Sequence, residues 1–311
     1  MKKKYIIMMV SCIILTMMVG CGVKASENEN NNDSDTIQNI EEEELSLEEK
    51  TREMFAKYYA GIIENKPLDT FECIYNADKL EGIGININES ITQMINDSFK
   101  RDIINVDMII TGINNIDYGD GSFYSCSVTE KYVNSSNESF SSSQDYIIHI
   151  EDDSSIRIVW QGLTGHVVDI LNEKSAMRST SFQIDEFNAY EGVGFISLSI
   201  NFINNSDVDA SLGWVNGYRF VIEDNNNSII SEYRAASSLR CYQTETVTHT
   251  IYISDSSLED FIETLQYVYV TNVYILSDRG LPNPGADPGS VLLYCIGNDH
   301  DKFEAKFDDI Q

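Results

Sequence analysis

The order of apolar and polar positions divides the chain into four stretches. Residues 5–20 form an almost unbroken apolar run that follows three lysines at residues 2–4. Residues 22–44 are dominated by Asn, Ser, Asp and Glu. Residues 46–100 repeat apolar side chains at steps of three and four, which predicts helices. Most of the remaining chain alternates with a period of two, which predicts strands.

Three helices are predicted in the third stretch. Ser46–Glu49 fits a capping box, in which the serine hydroxyl and the glutamate carboxylate satisfy amides at a helix start. The first helix follows and is expected to end at Pro67, since a proline disfavours helical geometry in the residue before it. A second helix is expected over Leu68–Leu80, and a third over Glu89–Lys100 behind an Asn88 cap.

Strands follow these helices up to residue 161. The expected strands are Val106–Ile110, Ser122–Val133, Gln144–Glu151 and Ser155–Gln161. The stretch Asn134–Ser143 is rich in Ser and Asn, and it is expected to be a long, mobile loop. Leu163–Met177 is interpreted as a link, with Ile170 packing back onto this first part. Helices followed by antiparallel strands predict an α+β domain over residues 46–178.

The last part of the chain, residues 179–311, is expected to be all-β. Asn-rich turns, such as Asn225–Asn227, separate its strands because Asn tolerates left-handed backbone geometry. One helical turn is expected at Ser257–Leu265. The expected strands are Phe182–Glu191, Gly194–Ile203, Trp214–Ile222, Thr244–Ser254, Tyr267–Leu276 and Val291–Ile296. Short strands with regular turns predict a β-sandwich.

Two family resemblances refine these folds. The element order of residues 46–178 resembles the cone-shaped fold of the nuclear-transport-factor-two-like proteins, which include the SnoaL-like group; a cystatin-like sheet wrapped on a helix would give a similar order. The run Ile196–Ser206 resembles the strand ending in Asn-Asn-Ser or Asn-Asn-Thr in immunoglobulin-like domains of exported bacterial lipoproteins. That resemblance covers about residues 180–298 and implies an immunoglobulin-like sandwich. Trp214 lacks the cysteine partners of true immunoglobulin domains.

The N-terminal apolar run predicts export. As a helix, residues 5–20 would span roughly 24 Å, short of the ~30 Å core of a bilayer, so a signal peptide over residues 1–20 is favoured over a membrane span. Met18-Val19-Gly20-Cys21 resembles the lipobox of bacterial lipoproteins. The resemblance implies diacylglyceryl transfer to Cys21, cleavage before it, and a lipid anchor on the outer face of the cytoplasmic membrane. An ordinary signal peptide that contains a cysteine is the alternative.

Charge and cysteine usage limit the partners. Loss of residues 1–20 would remove three lysines and no acidic residue, which takes the formal charge from −29 to −32. Such a charge argues against nucleic acid as a partner. Residues 21–45 are expected to be a disordered acidic tether behind the lipidated cysteine. The cysteines outside the leader and the lipobox are expected to be buried free thiols rather than a zinc site: Cys73, Cys126, Cys241 and Cys295.

Candidate catalytic residues are few. Asp145 and His149 share one face of a predicted strand, and in a cone cavity they could perform acid–base chemistry. A half-exposed histidine without a catalytic role is the favoured interpretation. The segments Asp117–Gly121 and Asn298–Asp301 offer oxygen ligands but lack EF-hand spacing, and ordinary polar turns are favoured. The chain contains no dinucleotide or phosphate-loop motif, so neither a cofactor nor a metal is expected.

A proline-rich loop is the favoured recognition element. Residues 278–289 hold three of the four prolines, which lowers the entropy cost of presenting an extended loop. Its candidate binding residues are Asp278, Arg279, Pro282, Pro284 and Asp287. A stiff connection between strands is the simpler alternative.

The sequence therefore predicts a lipid-anchored, non-enzymatic binding module that contacts an envelope protein or peptide. A ligand-binding protein or enzyme with a cavity in the cone-like domain is the alternative. A solute-capturing component of a transporter is a weaker third idea. The oligomeric state does not follow from the sequence.

Overall fold

The computed structural model describes residues 45–173, 176–178, 182–214, 217–254, 257–282 and 289–296. The predicted signal peptide, Cys21 and tether lie outside the described residues, as do Pro284, Asp287 and the turn Asn298–Asp301. The described residues belong to one compact unit that begins at Leu45.

The first helix, α1, spans Leu47–Ile63 and confirms the predicted capping box. The Ser46 amide donates to Oε2 of Glu49 at 2.9 Å, and the Glu49 amide donates to the Ser46 hydroxyl at 3.3 Å. The prediction that Pro67 ends this helix is wrong. Pro67 is instead the first residue of α2, Pro67–Phe71, where its missing N–H would have had no helical partner.

The predicted single helix over residues 68–80 is also wrong. The chain forms α2 and then α3, Ala77–Gly82. Between them, Ile74 makes a β-bridge to Ile158, and the Tyr75 amide donates to the Ile158 carbonyl at 2.9 Å. This contact with a distant strand outweighs the local helical pattern and fixes an extended turn.

The fourth helix, α4, spans Ile87–Lys100 and begins earlier than expected. Its N-cap is Asn86, whose side chain makes no capping hydrogen bond, so the prediction of an Asn88 cap is wrong. Ile87, Ile91 and Ile95 are buried on one face, as the helical period predicts.

Four antiparallel strands form the first sheet. They are β1, Ile103–Asn115; β2, Phe123–Asn134; β3, Ser139–Ile150; and β4, Ile156–Ile158, in that spatial order. The prediction of a long loop over residues 134–143 is wrong, because strand pairing reaches Val133 and Ser139. The tight turn is closed by the Asn134 side chain, which accepts the amides of Ser136 and Glu138 at 3.1 and 2.8 Å.

One face of this sheet is covered by the helices and forms the first core. Phe55 of α1, Ile91 of α4, and Cys126 and Ile148 of the sheet are all completely buried there. The confirmed part of the prediction is the order of helices first and antiparallel strands second, with helices on one face.

Residues 163–173 link the first part of the chain to the second. They form β5, Leu163–Asp169, and the short helix α5, Ile170–Glu173. Leu163 belongs to the first core, whereas β5 pairs with a later strand, and Ile170 is buried in the second core. The expectation that Ile170 packs back onto the first part is therefore wrong.

The second part of the chain contains two antiparallel sheets that share one core. One has the order β13-β8-β7-β5, and the other has the path β11-β10-β14-β15-β6, with β9 pairing with β12 and β14. The strands are β6, Ala176–Arg178; β7, Phe182–Gly192; β8, Phe195–Asn204; β9, Ala210–Leu212; β10, Tyr218–Asp224; β11, Ile229–Ala235; β12, Leu239–Cys241; β13, Thr246–Ser254; β14, Leu265–Ile275; and β15, Gly289–Ile296.

The expected strands recur in the second part with shifted ends. The strand expected from Trp214 begins at Tyr218, and β11 was not predicted. The expected helical turn is α6, Leu258–Thr264, capped by the Ser257 hydroxyl. The described chain is thus mostly β, its sheets are antiparallel, and one of them curls into a half-barrel.

Candidate functional site

A buried carboxylate lies at the centre of the face that the helices cover. Glu130 of β2 is completely inaccessible to solvent. Its Oε1 accepts the Tyr59 hydroxyl at 2.5 Å and the Tyr146 hydroxyl, and its Oε2 accepts the Tyr132 hydroxyl and Nε2 of Gln144 at 3.0 Å. Four donors from three elements therefore converge on one side chain, and we call this set the Glu130 cluster.

Local structure explains how the cluster forms. Strand alternation puts Glu130 in phase with Cys126 and Val128, which are buried on the same face. The pairing of β2 with β3 sets Cys126 opposite Tyr146, and α1 brings Tyr59 over the sheet. Tyr59 and Tyr146 are also 2.9 Å apart through their hydroxyl oxygens.

The tyrosines of the cluster are held as neutral donors. Burial raises the pKa of Tyr59, and the neighbouring Tyr146 and Glu130 raise this pKa further. Burial and the charge of Glu130 raise the pKa of Tyr146 as well. A neutral hydroxyl can donate a hydrogen bond to the Glu130 side chain. These hydrogen bonds offset the cost of burying an acidic group, which is several kcal/mol when the group has no partner. The chain's own side chains thus occupy this face.

His149 lies on the other face of the same sheet. It pairs with Phe123 in the register of β2 and β3, and its ring lies 4.6 Å from the Phe123 ring and 4.2 Å from the Tyr75 ring. Its Nδ1 is buried without a hydrogen-bond partner. Desolvation lowers the pKa of His149, which favours the neutral imidazole. Asp145 shares this face, as predicted, and accepts the Ser127 hydroxyl at 2.6 Å.

A shallow acidic depression lies beside His149. It has a volume of about 340 Å³, and its lining residues are His149, Glu151, Asp152 and Asp153. Glu151 is already paired with Arg157, whose Nε lies 3.0 Å from Oε1 of Glu151. Within the described parts of the chain, no group of three or more His, Cys, Asp or Glu side chains is placed to hold a metal ion.

A second carboxylate lies where β5 meets β7. Oε2 of Glu191 accepts the Thr164 hydroxyl at 3.2 Å and is 3.3 Å from Nδ1 of His166. Burial raises the pKa of Tyr118, and a hydrogen bond from Tyr118 to Glu191 raises this pKa further. The side chain of His166 is largely exposed, so this group is a surface contact rather than an enclosed catalytic set.

The second core contains a histidine enclosed by aromatic rings. His249 of β13 is 8% exposed, and its Nε2 lies 2.6 Å from the Tyr218 hydroxyl oxygen. The rings of Phe220, Tyr218, Tyr233 and Phe202 surround it at 5.3, 5.4, 5.5 and 6.5 Å. Desolvation lowers the pKa of His249 to about 4.

The described half of the proline-rich loop is a tight turn. The Ser277 amide donates to the Leu281 carbonyl at 2.8 Å, and Gly280 has a φ of +69°. Asp278 and Arg279 are exposed at its tip, and Pro282 makes a bridge to Leu276. The turn presents these residues to solvent, as expected of a recognition loop or of a stiff connection.

The four cysteines of the described chain are buried free thiols, which confirms the prediction. Desolvation raises the pKa of Cys126 to about 11 and that of Cys241 to about 12. Thiols held in the protonated form are poor nucleophiles and poor metal ligands.

Comparison with known proteins gives no family for this chain. No protein-family model matches the sequence, and no curated protein matches it. Among the helices that the structure describes, none has the length and apolar character needed to cross a bilayer.

Proposed function

We propose that this protein is a lipid-anchored, non-enzymatic binding module on the outer face of the cytoplasmic membrane. The observation that carries the anchor is the apolar run of residues 5–20 followed by Met18-Val19-Gly20-Cys21. A role without a ligand site under the helices is supported by the Glu130 cluster, because the buried Glu130 carboxylate already accepts four hydrogen bonds from the chain itself.

The finer fold assignments belong to the same proposal. Residues 46–178 form a cone-like domain of the nuclear-transport-factor-two-like type; the helices packed on one face of an antiparallel sheet support this. Residues 179–311 form an immunoglobulin-like sandwich; two antiparallel sheets around one core support it. The membrane is contacted through lipid on Cys21, and an envelope protein or peptide is bound by a segment that includes the exposed Asp278 and Arg279.

Fractionation of cells that produce the full chain tests the anchor. Wild-type protein is expected in the membrane fraction at mature size. Cys21→Ser removes the thiol that accepts the lipid, and it is expected to release the protein or to stall its processing. Cys12→Ser, inside the leader, is the matched control and should behave as wild type. Retention of the Cys21→Ser protein at mature size in the membrane fraction would contradict the proposal.

A cavity-based function predicts a different result. A ligand of the first domain would have to displace tyrosines of the Glu130 cluster, so Tyr59→Phe would change ligand-induced thermal stabilisation in a small-molecule screen. If the protein is a binding module without a cavity, no small molecule should raise the melting temperature of wild type more than that of Tyr59→Phe. It also predicts that Arg279→Ala weakens capture of an envelope partner from intact cells.

A further inference from the structure

The free edge of the first sheet carries an unusual pattern for so acidic a chain. β1 is the outermost strand, and its only partner strand in the described chain is β2. Its thirteen residues contain one charged side chain, Asp107, and its pairing with β2 is irregular between Ile103 and Asn105 and between Ile110 and Gly112. Long neutral edges invite pairing with another strand, and proteins usually protect them with charges, prolines or bulges.

The side chains of this edge are incompletely covered. On the helix-covered face, Val106, Met108 and Ile110 pack against the first core but stay only half-buried. On the other face, Ile109 is 57% exposed. A strand added beside β1 would cover the row formed by Val106, Met108 and Ile110. Its backbone would also pair with the N–H and C=O groups on the outer edge of β1.

We propose that β1 pairs with β1 of a second copy of this chain, antiparallel about a two-fold axis at Met108. The proposal goes beyond the proposed function and does not depend on the acylation of Cys21. The axis sets Met108 opposite Met108 of the second copy and Val106 opposite Ile110 of the second copy. Each row of half-buried apolar side chains thus meets an identical row, as an isologous interface requires.

Charge and strand regularity select this register. Directly opposed residues of two antiparallel strands point to the same face of the sheet. The two-fold axis must therefore pass beside one residue of β1, and alternative registers move it by one residue at a time. An axis at Asp107 would set two carboxylates opposite each other, which is destabilising. An axis at Ile109 would carry the pairing across the β-bulge between Ile110 and Gly112. The axis at Met108 sets Asp107 opposite Ile109 and keeps residues 106–110 within the regular stretch.

The near-neutral composition of β1 makes this edge a place where two copies of so acidic a chain can approach each other. Two copies with a formal charge of −29 each repel over most of their surface. β1 is a mostly apolar strand that brings one carboxylate from each copy, Asp107, to the interface. Each of these carboxylates lies opposite the apolar side chain of Ile109 in the other copy. The paired segment is short, so we expect a reversible dimer rather than an obligate one.

A charge pair at Ile109 tests both the dimer and its register. In full-length protein in detergent, sedimentation equilibrium should show a concentration-dependent monomer–dimer equilibrium. Ile109→Asp places a second carboxylate opposite Asp107 of the second copy, whereas Ile109→Lys places a positive charge there. The dimer of the Asp variant should therefore be about tenfold weaker than that of the Lys variant. The same two substitutions at Tyr252, 61% exposed on β13, are the control and should not differ.

A cross-link gives an independent measurement. Met108→Cys should form an intermolecular disulfide on mild oxidation, since directly opposed strand residues have Cα atoms about 4.5–5.5 Å apart, within disulfide range. Tyr252→Cys is the control, and the native described thiols are buried. A monomer at all concentrations would show that the edge is open or covered by another occupant. Equal dimerisation of Ile109→Asp and Ile109→Lys would show a different interface. Either result overturns the proposal.

Discussion

Burial of His249 in its neutral form is expected to make the second part of the chain less stable at mildly acidic pH. The imidazole is 8% exposed among four aromatic rings, and its pKa in the folded chain is about 4. In an unfolded chain the pKa is about 6.5. The folded state therefore holds the neutral form over a range in which the unfolded state binds a proton.

The direction and size of the effect follow from this difference. Because the unfolded state binds more protons, the free energy of unfolding rises with pH. The contribution of His249 is fully present above pH 6.5 and is lost as the pH falls towards 4. Between pH 7.5 and pH 5 the loss is about 2 kcal/mol, because pH 5 lies about 1.5 units below the unfolded pKa and each unit contributes about 1.36 kcal/mol.

A difference measurement isolates this histidine from the many carboxylates. Urea denaturation of wild type and of His249→Gln, each at pH 7.5 and pH 5, should show that wild type loses about 2 kcal/mol more than the variant. Glutamine keeps a hydrogen-bonding group for Tyr218. His166→Gln, at a largely exposed position, is the control and should follow wild type. Equal pH dependence of wild type and His249→Gln would refute the reasoning.

Three further predictions concern the first part of the chain and its boundaries. Glu130→Ala removes the acceptor of three tyrosine hydroxyls and one glutamine amide, and it should lower the free energy of unfolding by about 3 kcal/mol in urea denaturation. The control Glu138→Ala, at an exposed position, should lower it by at most about 0.5 kcal/mol, and similar losses for the two variants would contradict this reasoning. His149→Ala should cost about 1 kcal/mol through lost ring contacts, and a loss several times larger would indicate a further role. Limited proteolysis should cut first within residues 22–45 and next near residues 172–181; one resistant fragment with both halves would argue against the predicted domain boundary.

The start of α1 and the strand periods were predictable from the sequence because they depend on local chemistry. The capping box at Ser46 needs only residues three apart, and the alternation of β13 is visible in the sequence itself. The break between α2 and α3 was not predictable, because a bridge from Ile74 to Ile158 causes it. The same holds for β5, whose pairing with β7 joins residues that are distant in sequence.

The positions of two buried ionisable groups can be read from the sequence. Glu130 is in phase with the buried residues of β2, and His249 is in phase with Val247 and Ile251 of β13. An ionisable side chain at an inward position of a strand predicts a buried polar contact. The donors could not be predicted, since Tyr59 reaches Glu130 from a helix 71 residues away.

The most direct test of the account is the mass of the N-terminal peptide of the mature protein. The protein would be purified from membranes and digested, and the peptide that begins the mature chain would be fragmented. We expect this peptide to begin at Cys21 and to carry a diacylglyceryl group on its sulfur. A mature chain that begins elsewhere, or a Cys21 that carries no lipid, would contradict it.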